Sequence, residues 1–420
     1  CALPIYFRVI GVNGHIFHNS GSSIVQELGF ALAMASNYLT VLTEKGFTVD
    51  EVATRMSFNF AISSSYFMEI AKFRAARLLW AKMVEAYNPA SAKSAQMRIH
   101  AETSRWNKTV YDAYVNMLRT TTEGMSAVLA GVDSLNVLPF DAPYAESSVF
   151  SERIARNQQL LLREESYLGQ VADPSAGSYY IENLTISIAE NAWNQFLKID
   201  EMGGYKEAFI KGYVQDQIAE VSNKRDTNIA NRRETVLGTN QYPNFNEIAD
   251  AKAVSANAVT RKASEKPADA IALPLVPYRG AQAFEELRYR TDVSGRRPKV
   301  FMLTLGSLAM RRARAQFSCN FFAVAGFEVI DNIGFKTVDE GVKAALDAKS
   351  DIVVICSSDE EYATLAVEAF EKLNGKAIYV VAGDPACKPE LEAKGIKNYI
   401  NVKSNLLETL KQYQSLLNIL

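Results

Sequence analysis

Short apolar runs alternate along the chain with longer stretches of amphipathic spacing. Phe7 to Val12, Met56 to Ile62, Met97 to Ala101 and Ser134 to Leu138 predict β-strands. Each is followed by a segment whose apolar residues recur every three to four positions: Ser23 to Lys45, Tyr66 to Tyr87, Tyr111 to Ala130 and Ser151 to Glu165. Strand then helix, four times over, is the pattern of a parallel β/α array. It amounts to half of an eight-stranded TIM-type barrel, which takes roughly 250 residues. A half barrel leaves open sheet edges, so a preceding half is expected in the native polypeptide. The start at Cys1, running almost at once into FRVIGVNG, likewise predicts a chain that begins inside a domain.

After Asp173-Pro174 the pattern turns helical from Asn183 to Ile229, with a break expected at Gly203-Gly204. From Glu234 to Arg297 the chain becomes polar and proline-bearing, through TNQYPNFNE and LPLVPYRGAQ, with one short helix at Gln282 to Thr291. A connection this long is expected to pack over a domain or a partner subunit. From Pro298 a cleaner alternation begins. The strands KVFMLTLG, FEVIDN, DIVVICSS, KAIYVVAG and NYINV precede helices starting near Ala309, Val338, Asp359, Pro389 and Asn405. Five short strands with intervening helices predict a flavodoxin-like doubly wound sheet, whose ligands bind at the carboxyl ends of the strands. The loops after Leu305 and Cys356 are therefore the places to look. The expected divisions are 1–170, 171–297 and 298–420.

One helix has charges where a plain core helix has none. Placing Tyr66 to Pro89 on a helix puts Phe67, Ile70, Ala71, Leu78 and Ala81 on one face, with Arg74 inside that stripe. The plain reading is a snorkelling arginine paired to a carboxylate at a barrel rim.

Composition narrows the partners. The 420 residues are 48% hydrophobic and 22% charged, enough for a large core and at least two domains. A net charge of -2 gives no bias toward nucleic acid or membrane. Neither a long uncharged apolar stretch nor a basic leader is present, so a cytoplasmic protein is expected. Cys1, Cys319, Cys356 and Cys387 are widely spaced and lack a CxxC pair, which predicts reduced thiols rather than disulfides or zinc. With His15, His18 and His100 the chain's three histidines, imidazole chemistry has few candidates.

Four stretches resemble one family closely. MEIAKFRAARLLWAK, HAETSRWNKTVYDAYVNMLRTTTEGMSAVLAG (His100 to Gly131), SERIARNQQLLLREES (Ser151 to Ser166) and ADPSAGSYYIENLT (Ala172 to Thr185) are similar to segments of the methylmalonyl-CoA mutase family of acyl-CoA mutases. The resemblance covers nearly the whole chain. It implies that the first strands are the second half of the family's barrel, and that the C-terminal module is a cobalamin-binding-like domain.

The family's working residues are where the chain departs. The resemblance implies an Asp-x-His-x-x-Gly loop after the first strand of the C-terminal module, the histidine being the lower cobalt ligand. Counting from Gly306 in LGSLAMRRARAQF sets Leu308 at the aspartate, Met310 at the histidine and Ala313 at the glycine. A thioether does not replace an imidazole oriented by a carboxylate, so Met310 reads as a plain helix residue. In CSSDEEYA, Asp359, Glu360 and Glu361 would repel a phosphate-bearing cofactor tail, and Ser357-Ser358-Asp359 reads as a helix N-cap. In the barrel, NGHIFHNSG places His15 at the family's tyrosine and Ile16 at its histidine. On a strand end that single step would turn His15 to the opposite face, unless the alignment slips by one. Arg105 stands where the family has glycine, Ala113 where it has proline, Val115 where it has asparagine and Ala142 where it has glutamate. His100, Thr103, Ser104 and Trp106 match. The cluster Arg311, Arg312 and Arg314 reads as a solvated or subunit-facing patch rather than a phosphate site.

The expected function follows from these losses. The family's two-subunit members pair a catalytic large chain with a related small chain that keeps the fold and loses the cofactor ligands. This chain is expected to be of the second kind, stabilising a large subunit that binds adenosylcobalamin and interconverts methylmalonyl-CoA and succinyl-CoA. No catalytic, cofactor-binding or metal-binding residue is expected on it. The alternatives are an active acyl-CoA mutase with altered cobalamin ligation, and a docking module for a mutase-associated chaperone.

Overall fold

The structure, a computed structural model, describes residues 8–249 and 254–419. They form two compact units. The first takes the described residues up to Lys108, Ala113–Asp226 and Arg261–Gly280; the second takes Thr109–Asp112, the described part of 227–260, and the described residues from Ala281 on.

The first unit contains a four-stranded parallel sheet in the order β1 (Ile10–Asn13), β2 (Met56–Ile62), β3 (Ile99–Thr103) and β4 (Ser134–Asn136). The expected start of the first strand at Phe7 lies outside the described residues. β2 follows its apolar run residue for residue. Phe58 and Phe60 project to one side of it, where Trp80 meets Phe58 edge-on at 4.8 Å and Phe73 meets Phe60 at 6.0 Å. Helices Ile24–Glu44, Tyr66–Glu85 and Tyr179–Glu201 supply most of the rest of this core. The first begins in a capping box, in which Ser23 and Gln26 each satisfy the other's amide. Val149–Glu164 starts the same way with Ser148 and Ser151, two residues before the expected boundary.

The helix expected from Tyr111 begins only at Val115. Asp112 adopts a left-handed φ of 51°, which no helix interior accepts. At the expected break, Gly203 and Gly204 have φ of 99° and 92°, and they separate the helix ending at Glu201 from the one starting at Tyr205.

The second unit contains a five-stranded parallel sheet in the order β6-β5-β7-β8-β9, with β5 Lys299–Thr304, β6 Glu328–Ile330, β7 Ile352–Cys356, β8 Ile378–Ala382 and β9 Asn398–Ile400. Helices Leu308–Ala323, Val338–Asp347, Tyr362–Leu373 and Lys388–Ala393 connect the strands, and Leu406–Leu416 follows β9. Every residue of β7 is buried, as expected for a strand covered on both faces. Gln414 ties the last helix to Gln282–Val293, donating to Leu287 O at 2.6 Å and Thr291 Oγ1 at 2.8 Å. The chain leaves β5 for β6 on one side and returns to β7 on the other. The loops after β5 and β7 therefore flank the topological switch point, the crevice at which open α/β sheets bind ligands.

Candidate functional sites at the carboxyl ends of the two sheets

In the first unit the chain leaves β1 at Asn13 and enters a short helix, His15–Asn19. Gly14 makes that turn against the core, where a Cβ would lie 2.8 Å from the Phe60 ring. The expectation that His15 and Ile16 alternate faces is thereby corrected. On a helix, neighbours differ by about 100° rather than 180°. His15 Nδ1 faces Asn59 O at 3.4 Å, and Ile16 is 39% exposed.

The histidine that is engaged here is His18, which the residue pattern did not single out. It is buried, and its Nε2 shares a 2.7 Å hydrogen bond with Ser104 Oγ. Ser104 Oγ also accepts the Trp106 amide at 3.1 Å. Burial, followed by the nearby charges of Lys72, Arg225 and Lys108, holds the His18 imidazole well below its ordinary range. The signal was its spacing, three residues after His15 and next to the apolar Ile16-Phe17 pair.

The matched residues of the β3 segment have structural partners. Thr103 Oγ1 accepts the Leu138 amide at 2.9 Å, and His100 Nδ1 lies 2.8 Å from Ser134 Oγ. Trp106 lies beneath the Arg225 guanidinium at 3.3 Å. Arg105 extends over the ends of β3 and β4: its Nε donates to Glu102 Oε1 at 3.0 Å, and Asn136 holds the other Glu102 oxygen at 2.9 Å. Ala113, Val115 and Ala142 are half-buried.

Two buried ion clusters underlie these loops. Lys72 Nζ sits 2.8 Å from Glu27 Oε2, 2.6 Å from Glu69 Oε2 and 2.6 Å from Ala61 O, with all three side chains fully buried. Glu27 also accepts the Ala61 amide, and Glu69 the Ser63 amide. Burial works against the Lys72 charge, but the two carboxylates outweigh it and hold the ammonium above its ordinary range. Burial pushes Glu27 up, with Lys72 opposing. The second cluster joins Lys108 Nζ to both oxygens of Glu123 at 2.8 and 2.7 Å.

In the second unit, Leu308, Met310 and Ala313 all lie on the first helix after β5 and are exposed, Met310 by 39%. The expected cap at Ser357-Ser358-Asp359 is not the one formed. The helix starts at Tyr362, and the two serines donate to Glu361 instead of accepting from the backbone. Glu361 Oε2 receives Ser357 Oγ at 2.5 Å, Ser358 Oγ at 3.0 Å, Ser358 N at 3.2 Å and Ser307 N at 3.3 Å. The Ser357 bond, chief among them, holds its carboxyl below the usual carboxylate range. Gly306, with φ of 69°, has no Cβ where one would overlap this carboxylate.

Arg314 braces the same loop. It donates to Ser357 O at 2.7 Å and Asp359 Oδ1 at 2.8 Å, above the Tyr362 ring. Arg311 donates to Gly306 O at 3.0 Å, while Arg312 is exposed, so the basic cluster divides between bracing and solvent. An open cavity of about 450 Å³ beyond Arg314 is bordered by Gly383, Asp384 and Lys403.

These residues do not fit the lower-ligand arrangement that the resemblance implies. The histidine position carries a thioether on a helix, its orienting acid is a leucine, and a carboxylate stands in the crevice beside Gly306. Among the described residues no group of three His, Cys, Asp or Glu side chains could hold a metal ion, and no helix is long and apolar enough to cross a membrane.

Comparison with known proteins agrees with the resemblance. Residues 4–271 match the family model for methylmalonyl-CoA mutase. The chain is 54% identical, over 97% of its length and 65% of the relative's, to the methylmalonyl-CoA mutase small subunit of Porphyromonas gingivalis. It is 37% identical, over 96% and 65%, to a probable methylmalonyl-CoA mutase small subunit of Mycobacterium bovis. It is 32% identical, over 90% and 63%, to the methylmalonyl-CoA mutase of Rhizobium meliloti. The chain thus spans about 65% of the length of the first two. On the extent of these matches, the chain belongs to the methylmalonyl-CoA mutase family.

Proposed function

We propose that this chain is the stabilising, non-catalytic small subunit of a heterodimeric, adenosylcobalamin-dependent methylmalonyl-CoA mutase. The complex interconverts methylmalonyl-CoA and succinyl-CoA in the cytoplasm, and a longer large subunit holds the cofactor. The observation that carries this reading is the loop after β5, where Leu308, Met310 and Ala313 stand at the family's Asp, His and Gly positions. Adenosylcobalamin supplies the radical chemistry where it is bound, so the loss of the ligating histidine moves that chemistry to the partner.

In this reading residues 1–170 are the second half of a β/α barrel, 171–297 a helical region and linker, and 298–420 a flavodoxin-like, cobalamin-binding-like domain. The four parallel strands β1 to β4 support the first assignment. The order β6-β5-β7-β8-β9, that of flavodoxin-like sheets, supports the last. The buried Lys72 and Lys108 clusters support a scaffold role, because each fixes a strand end or a loop to a helix and neither is exposed to a substrate. Co-expression with a longer homologue that carries Asp-x-His-x-x-Gly tests the proposal. The two chains should co-elute one to one and turn over methylmalonyl-CoA together. Separate elution, or turnover by this chain alone, would contradict it.

A further inference from the structure

We infer that the crevice between the carboxyl ends of β5 and β7 is an oxyanion cradle that the chain fills with its own Glu361. The donors come from two loops that are far apart in sequence: Ser307 N from the loop after β5, and Ser357 Oγ, Ser358 N and Ser358 Oγ from the loop after β7. All four converge on one oxygen, Glu361 Oε2, as donors converge on an oxygen of a bound carboxylate or phosphoryl group.

Two further observations distinguish the cradle from a local helix cap. Glu361 makes no capping bond to the helix that follows it, and one of its donors belongs to another loop. Gly306 on that other loop leaves the space the carboxylate occupies, since any Cβ there would overlap it. The wall behind is hydrogen-bonded on both sides. Arg314 holds Ser357 O, and Tyr362 Oη accepts the Ser357 amide at 3.1 Å while donating to Ala382 O at 2.6 Å. The site is therefore preorganised for an anion and already holds one. An open α/β sheet binds ligands at this switch point, and here the ligand's place is taken from within. This holds whether or not the chain partners a catalytic subunit, so its failure would leave the proposed subunit role standing.

Removing the carboxylate should expose the cradle to solutes. The test uses the full chain and Glu361→Ala, titrated with sodium formate and separately with inorganic phosphate, against chloride at matched ionic strength. Thermal unfolding and ³¹P line broadening are the readouts. Glu361→Ala should unfold at a lower temperature than the parent and recover in a saturable way with one or both oxyanions. Its affinity should exceed the parent's by roughly tenfold or more, the worth of one hydrogen bond to a charged group. Formate alone assigns a carboxylate-sized cradle; recovery with phosphate assigns one that admits a phosphoryl group. Adding Ser358→Ala should weaken the effect, whereas Arg312→Ala should not.

Equal responses of parent and variant would overturn the inference, as would a response abolished by Arg312→Ala and untouched by Ser358→Ala. Should Glu361→Ala fail to accumulate in the folded form, the yield on refolding in formate or phosphate against chloride takes the place of the titration. A yield that neither oxyanion raises would overturn the inference equally.

Discussion

Lys72 Nζ lies 2.8 Å from Glu27 Oε2 across the core of the first unit, and neither side chain reaches solvent. With Glu69 completing the cluster, two carboxylates share one ammonium, and the ammonium also holds Ala61 O near the end of β2. The cluster joins a strand end to two helices, so it fixes how those elements meet. Lys72→Met should destabilise the chain by about 3–5 kcal/mol, because it leaves buried carboxylates without their counter-charge. Adding Glu27→Gln to Lys72→Met should recover part of that loss. Urea unfolding of the two variants checks both statements; a neutral Lys72→Met would show that the cluster is unimportant.

His18 is a pH-sensitive group of the same unit, shifted further than His100 in the same direction. Its folded-state pKa lies below the unfolded value, so below about pH 6.5 the unfolded chain binds the proton and the folded chain does not. Stability should therefore fall as pH drops from 6.5 toward the folded value, by at most about 1.4 kcal/mol per pH unit from this group. His18→Gln should flatten that part of the profile while weakening the chain at neutral pH through loss of the Ser104 bond. Unfolding curves between neutral and mildly acid pH would show it, and identical slopes for parent and variant would count against it.

Arg74 is held from the helix Tyr179–Glu201 and the turn before it. It donates to Glu182 Oε1 at 2.8 Å, Thr185 Oγ1 at 3.1 Å and Asp173 Oδ2 at 3.2 Å. Because both acids face solvent, Arg74→Met should cost far less than Lys72→Met, and its effect should shrink with added salt. Arg74→Lys should not restore the parent, since an ammonium cannot serve three partners in the guanidinium's plane. Melting temperatures at low and high salt decide this.

The thiols offer a check on the second unit. Burial pushes the Cys319 thiol up to about 12 and Cys356 higher still, while Cys387 is only half-buried. In a Cys1→Ser background, since Cys1 lies outside the described residues, a thiol reagent should label Cys387 first. Cys319 and Cys356 should react only on unfolding. Rapid labelling of Cys356 in the native chain would mean that the sheet opens readily.

Much of the fold was legible in the sequence because strands and helices carry their own periods. β2 was readable residue for residue, and Arg74 was readable as a paired arginine. The face of the Tyr66 helix was not: Phe67 and Leu78 are exposed, whereas Glu69 and Lys72 are fully buried. An apolar stripe cannot reveal a buried ion pair whose further partner, Glu27, stands 45 positions away in the sequence. The late start at Val115 was hidden for a local reason, the left-handed Asp112. At the candidate sites, the loss of an imidazole at Met310 was visible from the residue itself. The role of Glu361 was not, because it depends on a loop that only the sheet topology brings beside it.

On the proposed reading this chain holds no cobalamin and its partner does. Equilibrium dialysis of cobalamin against the isolated chain, and against its complex with a longer homologue carrying Asp-x-His-x-x-Gly, measures this directly. The expected result is no saturable binding to the isolated chain and one cobalamin per pair of chains in the complex. Two per pair, or tight binding to the isolated chain with the spectral shift of a histidine-ligated cobalt, would contradict it.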